Sequence, residues 1–599
     1  MMLLRAGAGR TLCGPWARNG GRPGALLCGA GHRAPRPALP FSTSTPSTSA
    51  SAASASSPPL PPAPHHAADA PSAGADAAPG DASWTPTSDV GIETELQQAF
   101  SDAEKSFAHL SLPELVRANF VLQACRMAGP VVPFIDKLYG AAVSLTGPSL
   151  VHEVMRPTAF AHFCGGEQAS DMLPKLRSLQ EYGIGGILDY AAEAKEGEVG
   201  DESRFDSQIA LFAESVGVAA QGGSEYNLVA IKISALCDVP LLIKVSQGLV
   251  EAQRIFFRLA EAEAQGGEED AWGVPFSASP TAVLSTEAVA RGWPAGLDFA
   301  AMDARGAGQI DLVDWTTFWT PARVSTDLAS CTYAGPFPAL SGEELARLAR
   351  AEERLDAVCA NARRLGVRLL VDAEWSKAQP AMDFLAMRAA ARHNLPADGH
   401  ETATVLQTYQ CYLRGSLGRC ERDLVRARRE GWAFGAKLVR GAYIVQERAE
   451  AEEAGRISPV WDCLAHTEEN YHAVIASCLS SHRPGDQVMV ASHNTDSLLF
   501  TVQKMREFKL DSQTCGVLFA QLLGMAEAAS FALAKHGYRV FKYMPYGPLD
   551  EVVPYLLRRT QENSTLLGTP AVRKEREMLL EEVWRRSTGL DVGWAVRST

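Results

Sequence analysis

Acidic side chains are missing from the first 68 residues, and so is lysine; the formal charges there are six arginines, Arg5, Arg10, Arg18, Arg22, Arg33 and Arg36. A Ser/Ala/Pro-rich run follows to about residue 88. Such a stretch cannot pack a core. It has the composition of an organelle transit peptide, with a mitochondrion preferred over a chloroplast. Apolar runs of the roughly 18 residues that a membrane-spanning helix needs are absent as well, which leaves a peripheral membrane contact open. The twelve cysteines form no Cys-x-x-Cys pair and no Cys/His cluster at zinc spacing, so we expect reduced thiols and no metal site. A basic excess is lacking: 56 Lys and Arg stand against 69 Asp and Glu, a net charge of −13. That argues against nucleic acid held through its phosphates.

What is present is 46% hydrophobic, enough for a sizeable core. Eight β-rich apolar runs can be read after residue 180: Gly185–Tyr190, Leu228–Leu236, Arg368–Glu374, Thr404–Gln410, Ala433–Tyr443, Val488–Asn494, Cys515–Gly524 and Arg539–Gly547. Every gap but the second-to-third holds one helical pattern of conventional length, as in Pro380–His393 and Thr467–Ser481. Near-continuous apolar strands alternating with amphipathic helices imply a parallel sheet covered by helices. Eight such units imply a closed, distorted (β/α)8 barrel of the α/β class, with active groups at the strand C-termini. An open doubly wound sheet is the alternative, but no Gly-x-Gly-x-x-Gly follows the first run.

The strand-like runs turn polar at their ends: Asp189, Lys232, Asp372, Gln407, Lys437, His493, Gln521 and Lys542-Tyr543. One polar end is ordinary, whereas eight in order point to a shared site. A final helix, Pro548–Thr565, adds an anion clamp. Tyr555, Arg558/Arg559 and Glu562 share one side, while Val552, Leu556 and Leu557 take barrel-facing positions. Adjacent arginines can hold a carboxylate bidentately. An isolated Arg-Arg-x-x-Glu is more often a solvated salt-bridged face.

The run Tyr555-Leu556-Leu557-Arg558-Arg559-Thr560-Gln561-Glu562-Asn563 resembles the signature of proline dehydrogenases, as do Lys437–Tyr443, Val371–Glu374, Ala491–Asn494 and Phe519–Met525, in the family's order. The resemblance covers about residues 150–585 and is closest to the eukaryotic mitochondrial branch. It implies non-covalent FAD in the barrel, oxidation of L-proline to Δ1-pyrroline-5-carboxylate, and electrons passed to ubiquinone at the matrix side of the mitochondrial inner membrane. It further implies that Arg558 and Arg559 hold the proline carboxylate and that Lys232 lies beside the substrate, paired with Asp189 or Asp372. Tyr543, Tyr555, Leu438 and Ala442 are expected to wall the pocket, and Glu193 to gate it. Gln407, Lys437, Val439, Gly441, Ala442, His493, Asn494, Gln521 and Glu562 are expected to contact FAD. Bacterial members carry arginine where this chain has Lys437, which keeps the charge and loses the planar fork. Hydroxyproline dehydrogenases, the sister activity, tend to carry a smaller residue at the place of Tyr543. Two other readings fit less. A Schiff-base aldolase would use Lys232 but not His493, Asn494 or Gln407. A non-catalytic binding protein would not need Arg558, Arg559, Lys232 and Asp372 together.

The chain is thus expected to divide into a transit and linker segment (1–90), a helical region (91–150) and the barrel (151–585). An insertion at about 265–340 carries an EF-hand-like loop, 303–314. In that loop Gly308 sits at position 6, Ile310 at 8, and carboxylates at 1, 9 and 12, whereas Arg305 and Ala307 replace two ligands. A degenerate helix-loop-helix without calcium is the expectation.

Overall fold

In the computed structural model the described residues are 91–127, 134–191, 201–223, 227–260, 283–285, 289, 297–303, 305–397, 399–566 and 570–589, with backbone alone at 136, 299, 560–566 and 570–572. The expected leader, residues 1–90, lies outside them. Eight parallel strands close a barrel: β1 (Ile184–Tyr190), β2 (Asn227–Ile231), β5 (Val367–Val371), β6 (Val405–Gln410), β7 (Gly435–Val439), β8 (Gln487–Ala491), β9 (Val517–Leu522) and β10 (Arg539–Tyr546), which pairs back with β1. All eight fall on the expected runs. A separate antiparallel pair, β3 (Val283–Ser285) and β4 (Gln309–Asp311), belongs to the insertion.

Side chains alternate across each strand. One parity fills the barrel with Ile187, Leu228, Ala230, Leu370, Leu406, Met489, Leu518, Ala520 and Phe541. The other parity packs outward on the helices, as do Leu188, Val229, Val371, Val405, Leu438 and Phe519. Both faces are buried, so the strands read as continuous apolar runs. Gly435 is the small residue on the inside of β7; a Cβ there would lie 2.3 Å from the Val405 carbonyl oxygen.

Seven helices bear on function. They are α1 (Leu112–Met127), α2 (Ile135–Thr146), α3 (Pro148–Met155), α4 (Gln379–His393), α5 (Ser416–Glu430), α6 (Glu527–Lys535) and α7 (Leu549–Leu566). The helix carrying the clamp is not the last one. An eighth, α8 (Pro570–Thr588), follows and packs Met578 and Leu579 against Phe107, Leu115 and Leu122.

The long gap between β2 and β5 holds a helix at Val239–Leu259, then β3, β4 and short helices, then Gly342–Arg364. In the EF-hand-like loop two of the three carboxylates already have cations. Arg305 meets Asp314 at 2.6 Å and Asp311 at 3.1 Å, and Arg429 of α5 meets Asp311 at 2.5 Å. Asp303 accepts from the backbone N–H groups of Ala307 and Gly308 at 2.9 and 2.7 Å. Two guanidiniums neutralise Asp311 and Asp314, and Arg429 fastens the insertion to a barrel helix.

Candidate active site

The inward parity continues past the last apolar layer and becomes polar at the C-terminal mouth. Asp189 is the last residue but one of β1, and its Oδ1 accepts from Lys232 Nζ at 2.6 Å. Of the two partners expected for Lys232, Asp189 is the bonded one. Asp372 follows β5 and accepts from Lys437 Nζ on one oxygen and from the Tyr543 hydroxyl at 2.6 Å on the other. The Lys437 ammonium lies 5.3 Å from the Tyr543 ring centre. Five residues from five strands therefore form one buried network of two carboxylates, two ammonium groups and a phenol. Burial pushes Asp372 toward the neutral acid, but Lys437 and Lys232 outweigh it and hold the carboxyl below its ordinary range. Tyr543 is raised well above its ordinary value, first by burial and then by Asp189 and Asp372. It stays a neutral phenol that donates.

Helix α7 lies over this mouth. Val552, Tyr555 and Leu556 pack with Ala191 beyond β1 and with Leu522 and Met525 at β9, and the Tyr190 hydroxyl donates to Glu551 at 2.7 Å. Arg559 is buried, its guanidinium carbon 5.1 Å from the Tyr555 ring centre, and Arg558 next to it is half-buried. Arg559 also acts on His493: burial, then Arg559 and Lys542, push that imidazole down to about 3, so it is neutral. Its Nδ1 is buried without a hydrogen-bonding partner, and so are Thr408 Oγ1 and Gln410 Oε1. Buried polar atoms are rarely left so. The mouth is chemically prepared for a polar group that the protein's own atoms do not supply.

Strand parity turns several of the expected residues away from the centre of the mouth. Gln407 points outward and donates to Asp383 of α4, and its Oε1 is buried without a hydrogen-bonding partner. Leu438 packs in the helix-facing core rather than on the pocket. Gln521 is bonded at both ends on the outer side, to the Ser492 carbonyl at 3.2 Å and from the Ser530 hydroxyl at 2.9 Å. Lys542 is likewise outside, 3.1 Å from Glu527 of α6. In their place parity brings in Thr408 and Gln410, found by counting in twos from Leu406. Gly441, at φ +137°, leaves room for Tyr412, which a Cβ would strike at 1.7 Å. Asn494 caps the helix Thr495–Glu507 by accepting from Ser497 N–H at 2.8 Å. Val439 is half-buried at the end of β7, and Ala442 is exposed just beyond. Glu193 lies outside the described residues, as does the side chain of Glu562.

A family model described as proline dehydrogenase matches residues 172–569. The chain belongs to the proline dehydrogenase family. It is 32% identical to proline dehydrogenase 1, mitochondrial, of Homo sapiens, over 81% of this chain and 89% of that protein. It is 30% identical to proline dehydrogenase 2, mitochondrial, of Arabidopsis thaliana, over 82% and 91%. Hydroxyproline dehydrogenase of Mus musculus is 31% identical, over 80% and 92%. Among solved structures, proline utilization A from Bdellovibrio bacteriovorus, inactivated by N-propargylglycine, superposes with a TM-score of 0.51 at 18% identity, a likeness of fold. The match covers 84% of this chain but 44% of that longer one.

Proposed function

We propose that the chain is a mitochondrial, FAD-dependent oxidase of L-proline that forms Δ1-pyrroline-5-carboxylate and hands its electrons to ubiquinone at the matrix side of the inner membrane. The observation that carries this is the buried Asp189–Lys232 and Asp372–Lys437 network under the arginines of α7. FAD, when bound, supplies the two-electron oxidation that takes hydride from C5. His493, Thr408, Gln410 and Lys437 are the groups with donors or acceptors to hold it. Arg558 and Arg559 bind the substrate carboxylate and fix the ring's orientation, which removes much of the entropic barrier. Lys437 places a cation where negative charge accumulates on reduction. The amine proton leaves to water, and no side chain is required for it. The reported names of relatives and the arginine-rich, acid-free start support the address. Residues 1–40 fused to a reporter are expected to carry it to mitochondria, and a diffuse cytosolic signal would contradict this.

Sequence identity does not separate proline from hydroxyproline, since the relatives of both names stand within two points of each other. Tyr543 favours proline. Its hydroxyl is pinned to Asp372 at 2.6 Å, so the ring cannot swing aside for a substituent on carbon 4. An unpaired buried hydroxyl costs roughly 1–3 kcal/mol, and overpacking a similar amount. We therefore expect kcat/KM for proline to exceed that for trans-4-hydroxyproline by at least about tenfold, and Tyr543→Ser to narrow the ratio. Both substrates assayed with a quinone acceptor decide it. Equal or higher efficiency with hydroxyproline in the wild type would move the chain to the sister activity. Failure of both proline and trans-4-hydroxyproline to bleach the flavin absorption band would sink the redox reading altogether.

A further inference from the structure

Helix α7 carries both arginines of the clamp, so whatever fixes its pose over the mouth also fixes theirs. Its apolar side rests on Val121 and Cys125 of α1 and on Ala191, Leu522 and Met525 at the rim. Apolar contact is non-directional, whereas a hydrogen bond fixes direction. The first turn is weakly tied within the helix itself. Pro554 has no N–H, so the bond that would reach back four residues to the Asp550 carbonyl is missing. Two acids stand in that turn, Asp550 and Glu551. An acid there is usually accounted for by the helix dipole and water. Asp550 fits that account: it is largely exposed, 3.3 Å from Nδ1 of His152 on α3, whose other ring nitrogen meets Tyr139 of α2.

Glu551 does not fit it. Its Oε2 accepts the Tyr190 hydroxyl at 2.7 Å, and Tyr190 is a fixed point of the barrel. It ends β1 directly after Asp189, and its carbonyl oxygen lies 3.5 Å from Lys232 Nζ. Its ring lies against that of Tyr546, centres 5.5 Å apart, and the Tyr546 hydroxyl is bonded to Ser215 at 2.5 Å. Gly547, at φ +142°, leads the chain from β10 toward α7 beside the Tyr190 ring, which a Cβ would approach to 3.5 Å. Burial and then Glu551 raise the phenol above its ordinary range, so it remains the donor. On α7, Glu551, Tyr555 and Arg558 follow at i, i+4 and i+7 and share a face. The tie thus runs from the strand that carries Asp189 to the helix face that carries Arg558. We propose that Tyr190 and Glu551 are a positioning pair for substrate binding, whose bond holds α7 in the pose that presents Arg558 and Arg559 to a carboxylate. This rests on the reading that the two arginines take the substrate carboxylate. With the bond gone that pose is less populated, and apparent affinity falls in proportion. Bound substrate restores the pose, so the rate at saturation stays the same.

The test uses the full-length, FAD-loaded protein and two readouts. One is KM and kcat for proline with a quinone acceptor. The other is hydrogen exchange of the backbone amides of residues 549–559 without substrate. Tyr190→Phe and Glu551→Ala are each expected to raise KM about tenfold, the worth of a hydrogen bond to a charged group at a partly exposed site, with kcat unchanged. Both should speed exchange over 549–559 more than in the barrel strands. The double variant should be no worse than either single one, because both remove the same bond. Glu551→Gln, which keeps an acceptor oxygen, should fall between Glu551→Ala and wild type. Asp550→Asn removes a charge from the same turn and should leave KM as it is. An unchanged KM in Tyr190→Phe, additive effects in the double variant, or an equal rise in Asp550→Asn would overturn the pair. So would a fall in kcat at constant KM, or exchange over 549–559 that matches wild type. A wild type that oxidises neither proline nor trans-4-hydroxyproline would sink the redox reading, and the exchange rates would still decide whether the pair holds α7.

Discussion

Arg558 and Arg559 are adjacent in sequence but differently placed, one half-buried and the other buried over Tyr555. A charge-assisted pair to a buried carboxylate, once broken, costs on the order of 2–5 kcal/mol. We expect Arg558→Met and Arg559→Met to raise KM for proline tens-fold or more while FAD stays bound. Steady-state kinetics beside the flavin-to-protein absorbance ratio checks both halves. An unchanged KM in both variants would remove the clamp. The residues of the site were legible as types but not as directions. Asp189, Lys232, Asp372, Lys437 and Tyr543 converge because each follows an apolar run with inward parity. Gln407, Leu438 and Gln521 sit in the same runs one residue out of phase. A strand buried on both faces carries no polar alternation to reveal that phase.

At the scale of elements, the strands were found because a fully buried parallel strand is the simplest apolar signal, and the links between distant elements were missed. The start of α6 is one such link. Ala526 sits at φ +52°, and no side chain of its own caps the helix. Glu575 reaches across from α8 and accepts from Ala526 and Glu527 N–H at 3.2 and 2.7 Å. Burial and the neighbouring Glu527 carboxylate raise Glu575 from 4.5 to about 6. A carboxyl whose pKa is raised on folding favours the folded state below its unfolded value. That contribution is lost as pH rises from about 4.5 to about 6. Thermal melts of wild type and Glu575→Gln should therefore converge or cross as pH climbs through this window, with the variant gaining on wild type. A constant difference across it would contradict the assignment. The EF-hand-like loop makes the opposite point. Its spacing was legible, and so was Arg305 at a ligand position, but the second cation, Arg429, comes from a helix 115 residues from Asp314. With both guanidiniums in place, millimolar calcium is expected to leave the melting temperature unchanged; a calcium-dependent rise would contradict this.

For the molecule as a whole, the barrel's apolar layers are complete, whereas its mouth holds buried polar atoms with no hydrogen-bonding partner, His493 Nδ1, Thr408 Oγ1 and Gln410 Oε1. Each costs the protein free energy until something bonds it, on the order of 1–3 kcal/mol. A cofactor that supplies those bonds binds the folded state alone and raises stability by mass action. At about 100 times its Kd the gain is roughly 2.7 kcal/mol, a shift of a few degrees or more in Tm for a domain of this size. FAD is therefore expected to raise Tm in a concentration-dependent way, in the absence of any substrate. His493→Leu separates this from a general effect of ligand. It removes an imidazole that burial and two cations already hold neutral, and fills much the same volume. Without FAD the variant should melt at or above the wild-type temperature, because an unbonded buried polar group has been replaced by an apolar one. With FAD its gain should be smaller, because a bonding group has been lost. A variant with a lower Tm in the apo form and an undiminished FAD shift would place His493 in the structural core and not in the cofactor site.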